Sequence, residues 1–177
     1  MPSNVQPPSP QRIFVTGNAG SGKSTLAKQL GELLGLPVFG LDSIVWQPGW
    51  KKTPPKQRER LENKLLAREK WIIEGVSTRI QKKAEMVIFL DIPRKVSLWR
   101  CARRNLPYLF RSRPGLPENC PEWKILPRLA TLIWDFPVAV RPRIFAAQKE
   151  SPAKHGFFQL VSRQELQCFL RSLTRET

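Results

Sequence analysis

The segment Gly17-Asn18-Ala19-Gly20-Ser21-Gly22-Lys23-Ser24-Thr25 constrains this chain more than any other feature. Its first eight residues read glycine, four residues of any type, glycine, lysine and serine. The surroundings fit as well: a β-prone run, Arg12 to Thr16, precedes it, and Leu26, Ala27, Leu30, Leu33 and Leu34 follow at the spacing of one helical face. A strand that turns through glycines into a helix aims successive backbone N–H groups and the positive helix end at one point, which makes a seat for phosphate oxygens. The pattern therefore predicts ATP as the ligand, with Lys23 bridging the β- and γ-phosphates and Ser24 ligating Mg2+. Thr25 belongs to the same seat, although its hydroxyl is equally placed to bond its own helical turn. A turn that merely joined a strand to a helix would need neither the lysine nor the serine.

The rest of the chain alternates in the same manner. Short strands are expected at Val38–Phe39, Trp71–Glu74, Met86–Asp91 and Phe157–Val161. The second and third of these are almost continuously apolar, as in strands covered on both faces. Helices are expected from Lys23 to Leu34, stopped by Gly35, and from Thr53-Pro54 through Leu66. A further helix runs from Lys95 to Asn105 with Val96, Trp99 and Ala102 inward. Another runs from Trp123 to Phe136 and is ended by Pro137. A last one is opened by the capping box Ser162 to Glu165. Strands that alternate with helices predict an α/β fold with a parallel sheet. Residues 12–177 form one domain, and residues 1–11, with four prolines and no charge, read as a flexible arm.

Three cysteines far apart, without a Cys-x-x-Cys pair, argue against a disulfide framework or zinc site and fit a reducing, cytoplasmic setting. No apolar run reaches the roughly 20 residues of a membrane span, and no membrane partner is expected. Thirty Lys and Arg against fourteen Asp and Glu give a net charge of +16, a field that favours anionic partners: phosphorylated small molecules, nucleic acid or an anionic membrane surface.

Three acids stand where strands should end, at the sheet edge where open α/β folds bind ligands. Asp42 can orient an acceptor hydroxyl or act as its base. Glu74, before Gly75, can hold a magnesium-bound water. Asp91 ends the most Walker-B-like run by pattern, but Pro93 close behind makes it more naturally a strand-end turn acceptor. Between Ile92 and Pro117 there are seven basic residues and no acid. Arg103, Arg104, Arg111 and Arg113 can neutralise charge in phosphoryl transfer if the proline-rich stretch 106–122 closes as a lid; the alternative is a solvated basic face. Arg79 is a candidate clamp for an anionic group of the acceptor. Trp46 and Trp50 either stack on a ring or cover the core.

Beyond the glycine turn, Leu41-Asp42, Trp46 to Trp50, Trp71 to Gly75, Phe89 to Arg94 and the stretch Asn119-Cys120-Pro121-Glu122 resemble the adenylate-kinase-like "DNA topology modulation protein" (FlaR-related) family, over about Arg12 to Leu173. The resemblance implies a fold of the nucleoside-monophosphate-kinase type, with a five-stranded parallel sheet and a short arginine-rich lid. It also implies ATP and Mg2+ as cofactors. Where that group commonly ends its third strand in Asp-Gly, this chain has Glu74-Gly75.

Two readings result. In the first, the chain transfers the ATP γ-phosphoryl group to a nucleotide or other small molecule. Lys23, Asp42, Arg103, Arg104, Arg111 and Arg113 are then catalytic, Asp42, Trp50, Glu74 and Arg79 bind the acceptor, and Ser24 and Glu74 hold the metal. In the second, a nucleic-acid-associated ATPase or nucleotide-dependent regulator uses the basic surface. Neither reading fixes whether the chain is a monomer or a homodimer.

Overall fold

The computed structural model describes residues 10–112 and 115–176. Five strands form one parallel sheet: β1 (Arg12–Gly17), β2 (Val38–Gly40), β5 (Trp71–Glu74), β6 (Met86–Leu90) and β7 (Phe157–Leu160), in the order β2-β5-β1-β6-β7. A two-stranded ribbon, β3 (Trp46–Gln47) with β4 (Lys51–Lys52), stands apart from it. The helices are α1 (Lys23–Leu34), α2 (Asp42–Val45), α3 (Pro55–Leu66), α4 (Thr78–Gln81), α5 (Arg94–Asn105), α6 (Leu126–Ala139), α7 (Arg141–Glu150) and α8 (Arg163–Glu176).

Period-two alternation divides the core into layers. Ile13, Val15, Ile72, Ile88 and Leu90 face α1 and α8, where Leu26, Leu30 and Phe169 meet them. Phe14, Trp71, Ile73 and Val87 face the opposite side, with Leu41 and Ile80. Phe89 packs there with Phe136 and Ile144 from α6 and α7. Strands with both faces covered are nearly continuously apolar, as β6 is throughout and β5 is up to Glu74 at its carboxyl end. Gly35 ends α1 in the left-handed conformation (φ 64°), as its sequence position predicted. The capping box before α8 also forms, with the Glu165 N–H donating to Ser162 Oγ and Val161 N–H donating to Glu165 Oε2.

Several local expectations are corrected. The arm predicted for 1–11 lies, for residues 1–9, outside the described residues, but Gln11 is bonded into the sheet edge: its carbonyl accepts from Trp71 N–H and its N–H donates to Glu85. α3 begins one residue later than predicted, with Pro54 as its cap and Pro55 in its first turn. α5 buries Ser97, Cys101 and Asn105, whereas Val96 and Trp99 are exposed. The reason is the glycine turn, since a Cβ on Gly20 would stand 2.3 Å from the Ser97 carbonyl oxygen. Only small residues on α5 permit that approach.

Pro137 does not end α6 but lies within it. A proline there leaves the carbonyl four residues earlier, that of Ile133, without its helical donor. Asn18 Nδ2 donates to that carbonyl at 2.9 Å instead. Pro142 occupies the first turn of α7, where its missing N–H costs nothing.

Candidate active site

Helix α1 starts from Gly22 in a left-handed conformation (φ 104°), with Gly17 and Gly20 also at positive φ. The turn is braced from within: Ala19 N–H donates to Asn18 Oδ1, Ser21 N–H to the Asn18 carbonyl, and Lys23 Nζ to the same carbonyl at 2.8 Å. Its backing is close as well, since a Cβ on Gly17 would lie 2.5 Å from the Leu90 carbonyl oxygen. At Gly22 nothing lies within 4 Å of such a Cβ, so the mouth of the turn is open while its floor is filled.

The carboxyl ends of β1, β2 and β5 meet at this turn. Ser24 Oγ donates to Glu74 Oε1 at 3.0 Å, and Leu41 N–H donates to the Glu74 carbonyl. A cleft of about 310 Å3 joins the turn to α2 and α6. Its polar wall includes Lys23, Ser24, Asp42, Glu74, Arg104 and Trp50. Leu129, Leu132 and Phe136 of α6 supply its apolar wall. The pairing of Ser24 with Glu74 suits Mg2+, which keeps most of its waters and needs few protein ligands besides substrate phosphates. Among the described residues no group of three or more His, Cys, Asp or Glu is placed to hold a metal ion.

The sequence-predicted residues divide accordingly. Gly17, Asn18, Ala19, Gly20, Lys23, Ser24, Asp42, Trp46, Trp50, Glu74 and Arg104 line the cleft. Asn18 lines it through its backbone, because its side chain is engaged by Ile133 and Ala19. Ser21 is buried beneath the turn, and Gly22 and Thr25 are exposed outside the cleft lining.

Arg103 lies over the Trp99 ring, 5.5 Å from its centroid, and Arg111 over Tyr108 while bonding the Pro107 carbonyl; neither enters the cleft. Arg113 lies outside the described residues. Asp91 turns away, accepting from Arg141 Nε at 2.9 Å and from Gln159 Nε2. Arg79 pairs with Glu59 at 3.0 Å and lines a second cavity of about 420 Å3, which adjoins the cleft through Arg58, Val76 and Val140.

Two charged cleft residues were given no role in the sequence reading. Arg58, in α3, is held by the buried Glu62 one turn on at 3.0 Å and lines both cavities. Glu122, buried beside the cleft, follows Pro121 in the Asn-Cys-Pro-Glu stretch. The only available signals were an i, i+4 Arg–Glu pair and an acid that ends a proline-rich run.

The segment 106–122 is tied to the ribbon rather than standing free of it. Trp50 Nε1 donates to the Pro121 carbonyl at 2.8 Å, and Trp50 N–H faces Cys120 Sγ at 3.4 Å. Cys120, wholly buried, donates its own N–H to Ser112 Oγ. Trp50 (φ 60°) and Asn119 (φ 55°), one on each side of this contact, are the non-glycine residues at positive φ among those described. Trp46 meets Trp50 edge to face, and Arg128 of α6 stands over Trp46.

With this geometry the chain was compared with known proteins. No protein-family model matches it. A curated relative, the bifunctional shikimate kinase/3-dehydroquinate synthase of Thermotoga maritima, is 27% identical in an alignment of 125 residues that covers 60% of this chain and 25% of that protein. The match thus spans about a quarter of that relative's length. Among solved structures, a shikimate kinase from Acinetobacter baumannii in complex with shikimate is similar at a TM-score of 0.57 and 19% identity, covering 95% of this chain and 93% of that one. A shikimate kinase from Bacteroides thetaiotaomicron gives 0.55 at 16% identity, covering 95% and 98%. A gluconokinase from Sinorhizobium meliloti gives 0.50 at 17%, covering 94% and 90%.

These likenesses, with the five-stranded parallel sheet and the glycine turn after β1, define the fold: it is the three-layer P-loop fold of the nucleoside-monophosphate-kinase type. The named matches are shikimate kinases and a gluconokinase, and none carries the topology-modulation name suggested by the sequence resemblance.

Proposed function

We propose that this chain is an ATP- and Mg2+-dependent kinase of a small hydroxylated acceptor. The observation that carries the reading is the convergence, in one cleft, of the Gly17–Ser24 turn with Asp42 and Glu74. Bound at residues 17–24, ATP with Mg2+ would supply the phosphoryl group and neutralise its charge. The backbone N–H groups of the turn orient the phosphates, and Lys23 exchanges its bond to the Asn18 carbonyl for phosphate oxygens. Ser24 and Glu74 are the metal-side pair. Asp42, exposed at the start of α2, receives the proton of the acceptor hydroxyl. Arg104 is the cation of α5 that already faces the cleft. In this reading Arg111 and Arg113 reach the phosphates only if the 106–122 segment moves as a lid, while Arg103, on the outward face of α5 over Trp99, is not carried with it.

The acceptor enters beside Trp50 and Asp42, and Arg58 and Arg79 in the adjoining cavity meet its anionic group, if it has one. The relatives named for shikimate and gluconate chemistry support an acceptor of the hydroxy-acid class. The test is ADP production from ATP and Mg2+ against hydroxy acids, sugars, nucleosides and nucleotides, with duplex DNA included. One small acceptor should stimulate turnover, and Lys23→Ala should lower it by about 100-fold or more. Stimulation by DNA alone, or turnover indifferent to Lys23, would overturn the reading.

A further inference from the structure

The outward face of α5 is the least expected surface of the molecule. Val96 and Trp99 are 38% and 62% exposed, and the line continues along the helical turn that follows α5 to Leu106 at 67% and Phe110 at 86%. These residues and Arg103 recur at spacings of three and four, opposite the buried Ser97, Cys101 and Asn105. Trp123, 52% exposed, joins the far end, its N–H bonded to the Leu109 carbonyl. Lys95 and Arg100 flank the ridge, and no acid occurs from Ile92 to Pro117. An apolar ridge of this extent on a chain of net charge +16 is an interaction surface rather than a solvated face.

We propose that this ridge docks on an anionic lipid bilayer. Three observations select that partner. Val96 and Leu106 are aliphatic and offer a nucleic-acid base nothing to stack on, whereas the headgroup boundary takes up Trp, Phe and Leu side by side. Three aromatic rings here each carry one of the chain's own cations, which would compete with a stacked base: Arg103 over Trp99 at 5.5 Å, Arg111 over Tyr108 at 5.2 Å and Lys124 over Trp123 at 5.8 Å. A second copy would set like charges against each other, while lipid phosphates would meet Lys95, Arg100 and Arg103 with opposite charge. Long basic side chains can reach those phosphates while the ridge sinks into the boundary. No helix among the described residues is long and apolar enough to cross a membrane, so the attachment is peripheral. Lys95, Val96, Trp99 and Arg100 lie outside the cleft lining, so this part of the ridge can be tested apart from the kinase reading, whereas Leu106 and Phe110 belong to the 106–122 segment that the kinase reading uses as a lid.

The test is co-sedimentation of the full chain with vesicles of phosphatidylglycerol and phosphatidylcholine in equal parts, and with vesicles of phosphatidylcholine alone. The chain should bind the first and not the second, less tightly as salt is raised. The double variant V96S/W99S should bind at least about tenfold more weakly, and so should K95E/R100E, each with an unchanged circular dichroism spectrum and ATP affinity. If V96S/W99S does not fold, K95E/R100E decides. Failure to bind anionic vesicles, or binding untouched by these changes, would overturn the proposal. So would tighter binding to a single-stranded oligonucleotide through the same residues, or a dimer in solution that they disrupt.

Discussion

Gly20 shows how a single residue can hold a site and a fold at once. Its φ of 76° and its approach to the Ser97 carbonyl leave no space for a side chain. Gly20→Ala should therefore lower stability by about 1–3 kcal/mol, read as a fall in melting temperature, and loosen ATP binding with it. Glu85 is a residue whose contribution depends on pH. Burial pushes its carboxyl up, but the N–H groups of Gln11 and Arg12 and the Arg12 guanidinium outweigh that and hold it below the usual carboxylate range. A lowered folded-state pKa contributes stability above the unfolded value, and that contribution is lost as pH falls through the folded one. Glu85→Gln should thus destabilise the chain near neutral pH and make little difference in acid, as thermal melts at the two pH values would show. A larger deficit in acid than at neutral pH would contradict this account.

Between elements, the strongest coupling is the one that joins the glycine turn to α6. Pro137 frees the Ile133 carbonyl and Asn18 takes it. Asn18→Ala should cost about 1–3 kcal/mol, because a buried acceptor loses its donor. In a Pro137→Ala background that cost should shrink, since an alanine N–H can bond Ile133 again; a double-mutant cycle by denaturant unfolding measures the coupling. The ribbon and the 106–122 segment are joined in a similar manner. Trp50→Phe removes the bond to the Pro121 carbonyl, worth about 1 kcal/mol. Amide exchange across 106–122 should then quicken while the sheet strands stay protected.

Elements of this kind mark the limit of what the sequence discloses. β1, α1, β5, β6 and α8 were legible because their signals are local: a glycine turn, periodic leucines, apolar runs and a capping box. The inward face of α5, the continuation of α6 through Pro137 and the existence of α7 were not. Each involves a partner distant in sequence: Gly20 for α5, Asn18 for α6, and for α7 the packing on α4, where Gln81 Nε2 donates to the Ile144 carbonyl. Arg58 and Glu122 escaped for the same reason, since folding alone brings them to the cleft.

At the scale of the whole molecule, the parallel sheet places the ends of β1, β2 and β5 side by side, so residues as far apart as Lys23, Asp42 and Glu74 share one cleft. The arginines near α5 are sorted by the same packing: Arg104 looks inward and Arg103 outward. An account in which the inward set transfers a phosphoryl group is tested most directly by phosphorus NMR. The spectrum would follow ATP and Mg2+ with the acceptor that stimulates ADP release, using the unaltered chain and Asp42→Asn. The account predicts a new phosphoester resonance on the acceptor, growing as the γ-phosphate of ATP declines, and slowed about 100-fold or more by Asp42→Asn with ATP binding retained. A spectrum that gains only inorganic phosphate, at a rate indifferent to Asp42, would contradict it.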